Sequence, residues 1–521
     1  MSAAQVAAGR AKDGLVTLDS LRKLPSPLGA DPGIDLAEAT AASQISDYRR
    51  SENAASQALQ KGKTLGARLI MAQALLDEAS ALAALGDAKK ANEASSEAKE
   101  LFVAAGNHFG EARALRNIGA ILVNQGDFEN GKKSLQEAMR IQHALGNRTG
   151  EMDLLGHLTH ALYRQGDLAG AAKSAEESLA IARELGDRAN EGHLLNTIAG
   201  IEAQQGQSAA ATKHYEEALN LDRTIGKEAE TARALNNFAN LLMAEGNVVR
   251  AQQMLEECVT ISRRTGNKDD LGIALLNLAG LRSNAGQLAK AQRLFSEALQ
   301  IVKETGNQAA AAYILHCQAD IRILQGDIAE AQKENEESLA LQEHIGANGD
   351  AARSRISMAT VSLEEGHFPE AEKQAQEAVG QFRAQKGVGG EADADAVLID
   401  SLRAQGKLAD AQGLAETARQ LAEKSGDRGT AAAVAIANAR VQTSSGKAKE
   451  AAISLRHTVE DAAKAGMRAA HFEARLALGE AELKSGNRTA GRAELTSLEQ
   501  EAKAQGFLLI ARKAAAARKQ R

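Results

Sequence analysis

Apolar residues recur along the chain at intervals of three and four, as in Leu115, Ile118 and Leu122, with polar residues between them. This spacing places the apolar side chains on one face of an α-helix. Each such stretch runs for about sixteen residues, which corresponds to a helix roughly 24 Å long. The pattern therefore predicts an all-α protein built from a succession of amphipathic helices.

Glycine interrupts this pattern every twenty residues. Counting every twentieth residue from position 46 to position 506 gives 24 positions. Gly fills 22 of them, with Ser46 and Lys386 as the exceptions. Glycine at a helix end supplies the left-handed conformation that terminates the helix. Endings such as LYRQG alternate with endings such as HALGN, so the repeating unit has 40 residues and two helices. This regularity predicts a tandem array of helix-turn-helix units.

Small residues occupy fixed places in the second helix of each unit. Five residues after the first-helix glycine the side chain is small in every unit, as at Ala91 and Ala171, and seven residues further on it is mostly small, as at Cys258. Small side chains allow antiparallel helices to approach closely, so we interpret Cys258 as a core residue. Asp or Asn often follows the glycine and can cap the next helix; Asp327 with Glu330 has the spacing of a capping box.

Three segments are predicted along the chain. Residues 1–33 hold three of the four prolines and are interpreted as a leader or linker, residues 34–506 as the repeat array, and residues 507–521 as a capping helix with a basic tail. Phe507 and Ile510 are expected to cover the last unit while the basic end faces water. Lys386, followed by three closely spaced glycines, predicts a distorted turn and a local hinge between the ninth and tenth units.

Composition narrows the partners. The net charge is −6, which argues against a nucleic-acid partner, and the only basic cluster is the tail 511–521, interpreted as a solvated chain end. No apolar run approaches the roughly 18 residues of a membrane span, so no membrane association is expected. The N-terminus lacks the apolar segment of a signal peptide, and two widely separated cysteines fit a reducing compartment. We therefore expect a cytoplasmic protein.

Two segments resemble the tetratricopeptide repeat. They read LRNIGAILVNQGDFENGKKSLQEAM at 115–139 and LNNFANLLMAEGNVVRAQQMLEECV at 235–259. The 40-residue length resembles the subtype of kinesin light chains and bacterial signalling proteins, although most of the usual aromatic residues are missing. The resemblance implies a right-handed α-solenoid superhelix of about twelve units.

Residues 21–59 resemble the segment that joins an effector domain to the tetratricopeptide half of large bacterial regulators. No kinase glycine-rich loop or HRD motif is present. The resemblance implies that this chain is the sensor or scaffold half of something larger, or a free-standing relative.

Motifs that would carry catalysis are weak. Lys61 to Thr64 ends like a phosphate-binding loop, but Gln57 replaces its first glycine. His316, Cys317 and Asp320 share a helix, as do His157 and His160, yet a metal site needs three or four ligands with supporting contacts. We expect no catalytic residue, no metal and no cofactor, and hence a protein that is not an enzyme.

The resemblance implies a peptide-binding groove lined by the first helix of each unit. The family's groove positions lie about thirteen, ten, nine, six and three residues before the first-helix glycine. Here they give Arg113, Arg116, Asn117, His157, His160, Asn196, Arg233, Asn236, Asn237, Asn240, Asn277, Tyr313 and His316. Amide side chains can pair with the backbone of an extended peptide, and arginines can bind its carboxylates. The alternative is that these side chains only solvate the face or bond between neighbouring helices.

The last units look different in the same register. They place Ala433, Ile436, Ala437 and Leu476 on the groove face, which predicts a less polar surface suited to a packed neighbour or a dimer partner. The function that follows is a non-enzymatic protein- or peptide-binding scaffold, the sensor or interaction module of a bacterial signalling system. A structural or self-associating solenoid, with homo-oligomers formed through the terminal units, is the alternative.

Overall fold

The computed structural model describes residues 11–519, and the regular elements in that range are 26 α-helices and one short 3-10 helix, Leu28–Ala30, with no strand. The first thirteen helices are α1 Ala11–Leu21, α2 Pro32–Gln44, α3 Tyr48–Leu65, α4 Arg68–Ala84, α5 Ala88–Ala104, α6 His108–Asn124, α7 Phe128–Ala144, α8 Arg148–Gln165, α9 Leu168–Leu185, α10 Arg188–Gln204, α11 Ser208–Thr224, α12 Glu228–Ala244 and α13 Val248–Thr265. The others are α14 Lys268–Asn284, α15 Leu288–Thr305, α16 Gln308–Gln325, α17 Ile328–His344, α18 Asn348–Glu364, α19 Phe368–Ala384, α20 Val388–Ala404, α21 Leu408–Ser425, α22 Arg428–Ser444, α23 Ala448–Lys464, α24 Arg468–Lys484, α25 Arg488–Ala504 and α26 Leu508–Lys519.

From α2 onward, even-numbered helices are the first helices of the 40-residue units and odd-numbered helices are the second helices. Each packs most extensively on its neighbours in the chain. The predicted all-α, helix-turn-helix repeat is therefore confirmed.

Glycines at the helix ends adopt the predicted left-handed conformation. All 22 have φ between +64° and +93°, values that cost residues with a Cβ more than they cost glycine. At Gly126 the glycine N–H donates to the carbonyl of Val123 (3.0 Å), and the following Asp127 N–H donates to that of Leu122 (2.9 Å). These bonds satisfy carbonyls that the helix end leaves free.

Lys386 keeps the same turn. Its φ is +56°, its N–H donates to the carbonyl of Arg383 (3.1 Å), and the Gly387 N–H donates to the carbonyl of Phe382 (2.8 Å). The predicted distorted turn is therefore wrong, because the two flanking helices impose the left-handed conformation on whichever residue occupies the position. Ser46, the other exception, has φ +58°.

Small residues lie where second helices contact first helices. Ala91, Ala171 and Cys258 are fully buried, so the core assignment of Cys258 is confirmed. A Cβ added at Gly131 would lie 3.0 Å from the carbonyl oxygen of Gly119, which shows how closely two helices approach at this position.

Asp and Asn cap many helices as predicted. The side chains of Asp87, Asp127 and Asn147 accept hydrogen bonds from backbone N–H groups three residues on. Asp327 makes no such bond, and its carboxylate accepts from Arg322 Nη1 instead (3.1 Å). The predicted capping box there is wrong because a neighbouring guanidinium competes for the carboxylate.

The described chain forms two compact units. The first extends to Leu275 and includes Gln300–Asn307, and the second comprises Leu276–Leu299 and continues from Gln308, so that α14 and α15 are shared between them.

In the first unit, the segment predicted as a leader contains α1. Its Leu15 and Leu18 pack against Ile34 and Ala41 of α2. The Tyr48 hydroxyl at the start of α3 donates to Asp269 Oδ2 at 2.6 Å, a contact across 221 residues of sequence. Residues 1–10 of the predicted leader lie outside the described residues.

In the second unit, α26 packs along several earlier helices. Phe507 and Ile510 are fully buried, and the Phe507 ring meets Phe472 edge-on with centroids 5.0 Å apart. Of the basic side chains expected to face water, Arg512 is exposed and also donates to the carbonyl of Gly326 (3.0 Å). Lys513 is half-buried and pairs with Glu364. The last two residues of the basic tail lie outside the described range.

None of the helices in residues 11–519 combines the length and the hydropathy that crossing a bilayer requires.

Candidate functional site

A cleft in the first unit brings together side chains from three successive first helices, α6, α8 and α10. Its cavity has a volume of about 760 Å³. Residues of the second helices α7 and α9 lie behind the first helices and complete the wall. The main lining residues are Phe109, Arg113, Arg116, Asn124, Thr149, Asp153, His157, His160, Asn190, His193 and Thr197.

The 40-residue repeat explains why these side chains converge. Arg113, Asp153 and His193 occupy the same position in three consecutive units. The residues that follow them, Ala114, Leu154 and Leu194, are buried between helices. Each first helix therefore presents one face to the core and another to the cleft, as its 3.6-residue period requires.

Four of the predicted groove residues line the cleft, namely Arg113, Arg116, His157 and His160. Asn117 is half-buried beside them, and its amide donates to the Ser80 hydroxyl at 3.4 Å. Phe109, with half of its side chain exposed, was not predicted. It lies one helical turn before Arg113, so a register extended by four residues would have found it.

Two arginines, Arg113 and Arg116, line the cleft together, and few negative charges lie near them. Arg116 Nη1 donates to Asp153 Oδ2 at 2.6 Å, while its Nε is buried without a hydrogen-bond partner among the described residues. Arg113 donates to Gln73 at 2.6 Å. Burial, followed by the charge of Arg116, lowers the pKa of Arg113. Among the described residues lining the cleft, the two guanidinium groups face a single carboxylate, that of Asp153, and so leave a positive excess in the lining. Outside the lining, the charge of Asp77 favours the charged form of Arg113.

Three histidines add neutral donors and acceptors. Burial is the main cause that lowers the pKa of His157, His160 and His193 below the ordinary value. They are therefore uncharged at pH 7, and each ring offers one N–H donor and one acceptor nitrogen. His157 Nε2 lies 4.0 Å from Asp153 Oδ1.

The other predicted residues of the first unit lie outside this cleft. Asn196 is on α10, and Arg233, Asn236, Asn237 and Asn240 are on α12. Asn237 donates to Asn196 at 3.3 Å, and Arg233 donates to Asp270 at 3.3 Å. Some of the predicted groove side chains therefore form hydrogen bonds between neighbouring helices, as in the alternative interpretation.

The remaining predicted residues belong to the second unit. Asn277 is on α14, and Tyr313 and His316 are on α16. The charge of Cys317, followed by burial, raises the pKa of Tyr313 to about 12. His316 Nε2 lies 3.6 Å from Asp320 Oδ2. Across residues 11–519, no three His, Cys, Asp or Glu side chains are grouped so that they could hold a metal ion.

The last units depart from expectation. Ile436, Ala437 and Leu476 are buried in the core and Ala433 is half-buried, so the four residues do not form an open apolar face. The predicted less polar groove is therefore wrong. The groove positions six and three residues before the first-helix glycines of these units hold a charged cluster, which the same counting would have found: Asp400, Arg403, Arg440 and Glu480.

Comparison with known families identifies the repeat. The tetratricopeptide repeat family model matches residues 110–184, 150–224 and 230–304. These residues are tetratricopeptide repeats (TPRs). The matched TPR segments contain α8, α10 and all but the first two residues of α6, so the cleft is built from TPR first helices. The helices before and after them continue the same twenty-residue rhythm.

Solved structures with similar folds include three helical-repeat proteins. BtubC from P. vanneervenii is 20% identical, with 49% of this chain and 90% of that chain covered at a TM-score of 0.34. A signal transduction ATPase with a TPR sensor from Pyrococcus horikoshii is 15% identical, with 70% of this chain and 52% of that chain covered at a TM-score of 0.46. A Rap protein in complex with competence and sporulation factor is 14% identical, with 73% of this chain and 99% of that chain covered at a TM-score of 0.44. No curated protein matches this chain.

Proposed function

We propose that this chain is a non-enzymatic TPR scaffold that binds an extended peptide of a partner protein in the cleft of the first unit. The observation that carries the proposal is the convergence of polar side chains from α6, α8 and α10 on one cavity of about 760 Å³. This volume lies within the range of ligand clefts, and TPR solenoids commonly bind partners along such faces.

The chemistry of the cleft favours a peptide with an acidic side chain. Arg113 and Arg116 supply the positive excess of the lining, and the buried Nε of Arg116 has no hydrogen-bond partner among the described residues. A carboxylate of the peptide would accept charge-assisted hydrogen bonds from them. The neutral His157 and His160 can pair with either polar group of a peptide backbone because each has a donor and an acceptor.

The proposal includes a role as the sensor or interaction module of a bacterial signalling system. It is supported by the resemblance of residues 21–59 to the segment that precedes the TPR half of such regulators. The sequence contains neither a kinase glycine-rich loop nor an HRD motif.

A structural solenoid without a peptide ligand is the second candidate. It is favoured by the side-chain bonds between successive first helices, such as Asn237 to Asn196 and Arg113 to Gln73. In this case the polar face would stabilise the stacking of the repeats.

Selection from a random nonapeptide display library separates the two. We expect enrichment of peptides that contain Asp or Glu. Fluorescence anisotropy of a selected peptide should show binding about tenfold weaker to Arg116→Gln, which corresponds to roughly 1.4 kcal/mol. Arg140→Gln is the matched control because Arg140 is exposed on α7, outside the cleft. Its affinity should stay within about twofold of the wild type, a change of roughly 0.4 kcal/mol.

Two outcomes would overturn the proposal: no enrichment over a library passed through beads alone, or equal losses in the two variants. The paired change Asn236→Ala with Asn237→Ala then tests how far the peptide extends. A loss of affinity in this pair would place part of the peptide on α12, and unchanged affinity would confine it to α6, α8 and α10.

A further inference from the structure

A second cavity, in the second unit, is lined by an unusual number of cations. Its volume is about 450 Å³. Its cationic side chains are Arg403 of α20, Arg440 of α22, Lys484 of α24, and Arg488 and Arg492 of α25. Glu480 is the only acidic side chain among the described residues that line it.

The inner arginines are held in place by partly buried carboxylates. Asp400 accepts from Arg403 Nε at 2.9 Å and from Arg440 Nη1 at 2.9 Å, and Glu473 also accepts from Arg440. Burial alone would raise the pKa of Asp400, but Arg440 and Arg403 lower it below its ordinary value. Asp400 is therefore ionised at neutral pH and fixes the two guanidinium groups.

The outer cations have no such partners. Lys484, Arg488 and Arg492 are exposed, and none of them takes part in an ion pair among the described residues. Five cations face the ion-paired carboxylates of Asp400 and Glu473 and the side chain of Glu480, whose pKa is raised by burial. These groups leave an excess of at least two positive charges. Lys513, whose charge also acts on Glu473 and Glu480, pairs with Glu364. Like charges gathered around one cavity repel each other until an anion compensates them.

We propose that this cavity binds a small phosphorylated anion. Arg and Lys side chains are the groups that recognise phosphate in proteins, and the excess of two charges matches a phosphate dianion. The cavity is large enough for a small molecule. The Ser444 hydroxyl lies in the same wall.

The lining also restricts the ligand. Cations dominate the lining of the cavity, and the described residues around it include no aromatic side chain, so the phosphate group is the part of a ligand that it recognises. The simplest fitting ligand is an inorganic or aliphatic phosphate. A phosphorylated side chain of a peptide offers the same chemistry, and the experiment separates the two sources.

Isothermal titration of the full chain with inorganic pyrophosphate tests the proposal. We expect saturable binding to the wild type that weakens as salt is raised. The double charge reversal Arg488→Glu with Arg492→Glu should weaken it by more than about tenfold. Both side chains are exposed, so the fold is expected to survive, and the thermal midpoint checks this.

Lys424→Glu with Arg428→Glu is the matched control. It makes the same change in charge at two exposed residues. They lie beside the start of α22, whereas Ser444 of the cavity wall is at the end of that helix. The control should bind pyrophosphate within about twofold of the wild type. Glu480→Gln, which removes the carboxylate that opposes the ligand, should bind it more tightly.

Three results would overturn the proposal: no heat of binding with the wild type at millimolar pyrophosphate, equal losses in the two double variants, or weaker binding to Glu480→Gln. A phosphoserine peptide that binds at least about tenfold more tightly than pyrophosphate would assign the cavity to a phosphorylated protein and reject the small-molecule ligand.

Discussion

At the scale of single residues, buried carboxylates link the stability of the protein to pH. Asp395 on α20 is 0% exposed, and neither of its carboxylate oxygens has a hydrogen-bond partner among the described residues. Burial, helped by the charge of Glu391, raises its pKa to about 7. An unfolded aspartate ionises near pH 4. The folded state therefore opposes ionisation of Asp395, and the resulting loss of stability develops as pH rises from about 4 and is complete above about 7.

We predict that Asp395→Asn stabilises the protein at pH 8, by about 1–3 kcal/mol, because the amide carries no charge to desolvate. The advantage should shrink as pH falls and be nearly lost at pH 4.5, where the wild-type carboxyl is protonated in the folded state. Urea unfolding at the two pH values measures it. Asp410→Asn, at an exposed position on α21, is the control and should show little change. A gain of equal size at both pH values would contradict the assignment.

At the scale of elements, the repeat pattern predicts most of the fold. Helix boundaries follow from glycines that need a left-handed φ, and the helix contacts follow from small residues such as Ala91 and Ala171. The two local errors have physical reasons. At Lys386 the flanking helices determine the conformation of the turn, whatever the residue. At Asp327 the carboxylate that was expected to cap the next helix accepts a hydrogen bond from Arg322 of the preceding helix.

We predict that Lys386→Gly stabilises the turn by about 1 kcal/mol, because a side chain at φ +56° is strained and glycine is not. Gly366→Ala, at the previous turn with φ +80°, should destabilise the protein by a similar amount. Thermal unfolding of the two variants beside the wild type measures both effects. Opposite signs are expected, and a loss of stability in Lys386→Gly would contradict the account.

At the scale of the whole molecule, the local sequence pattern does not predict which distant residues come into contact. In the first unit Tyr48 bonds to Asp269, and in the second Lys513 pairs with Glu364, although 221 and 149 residues separate these partners. Such contacts depend on small rotations that accumulate from repeat to repeat, and sequence periodicity does not reveal them.

The same limit applies to the candidate site. The register predicts that Arg113, Arg116, His157 and His160 share a face, because they repeat at fixed distances from the glycines. It does not predict that the side chains further along, Asn196 and Asn237, bond to each other and lie outside the cleft. Whether a polar side chain meets a ligand or its neighbour depends on side-chain geometry that the repeat leaves open.

If a peptide lies in the cleft of α6, α8 and α10, a photoreactive benzoylphenylalanine at position 160 will react with it. Position 140, on the exposed face of α7, is the control. With a peptide from the library selection, we predict a covalent adduct at position 160 that Arg116→Gln suppresses, and none at position 140. Equal adducts at the two positions, or an adduct at position 140 alone, would contradict binding in the cleft.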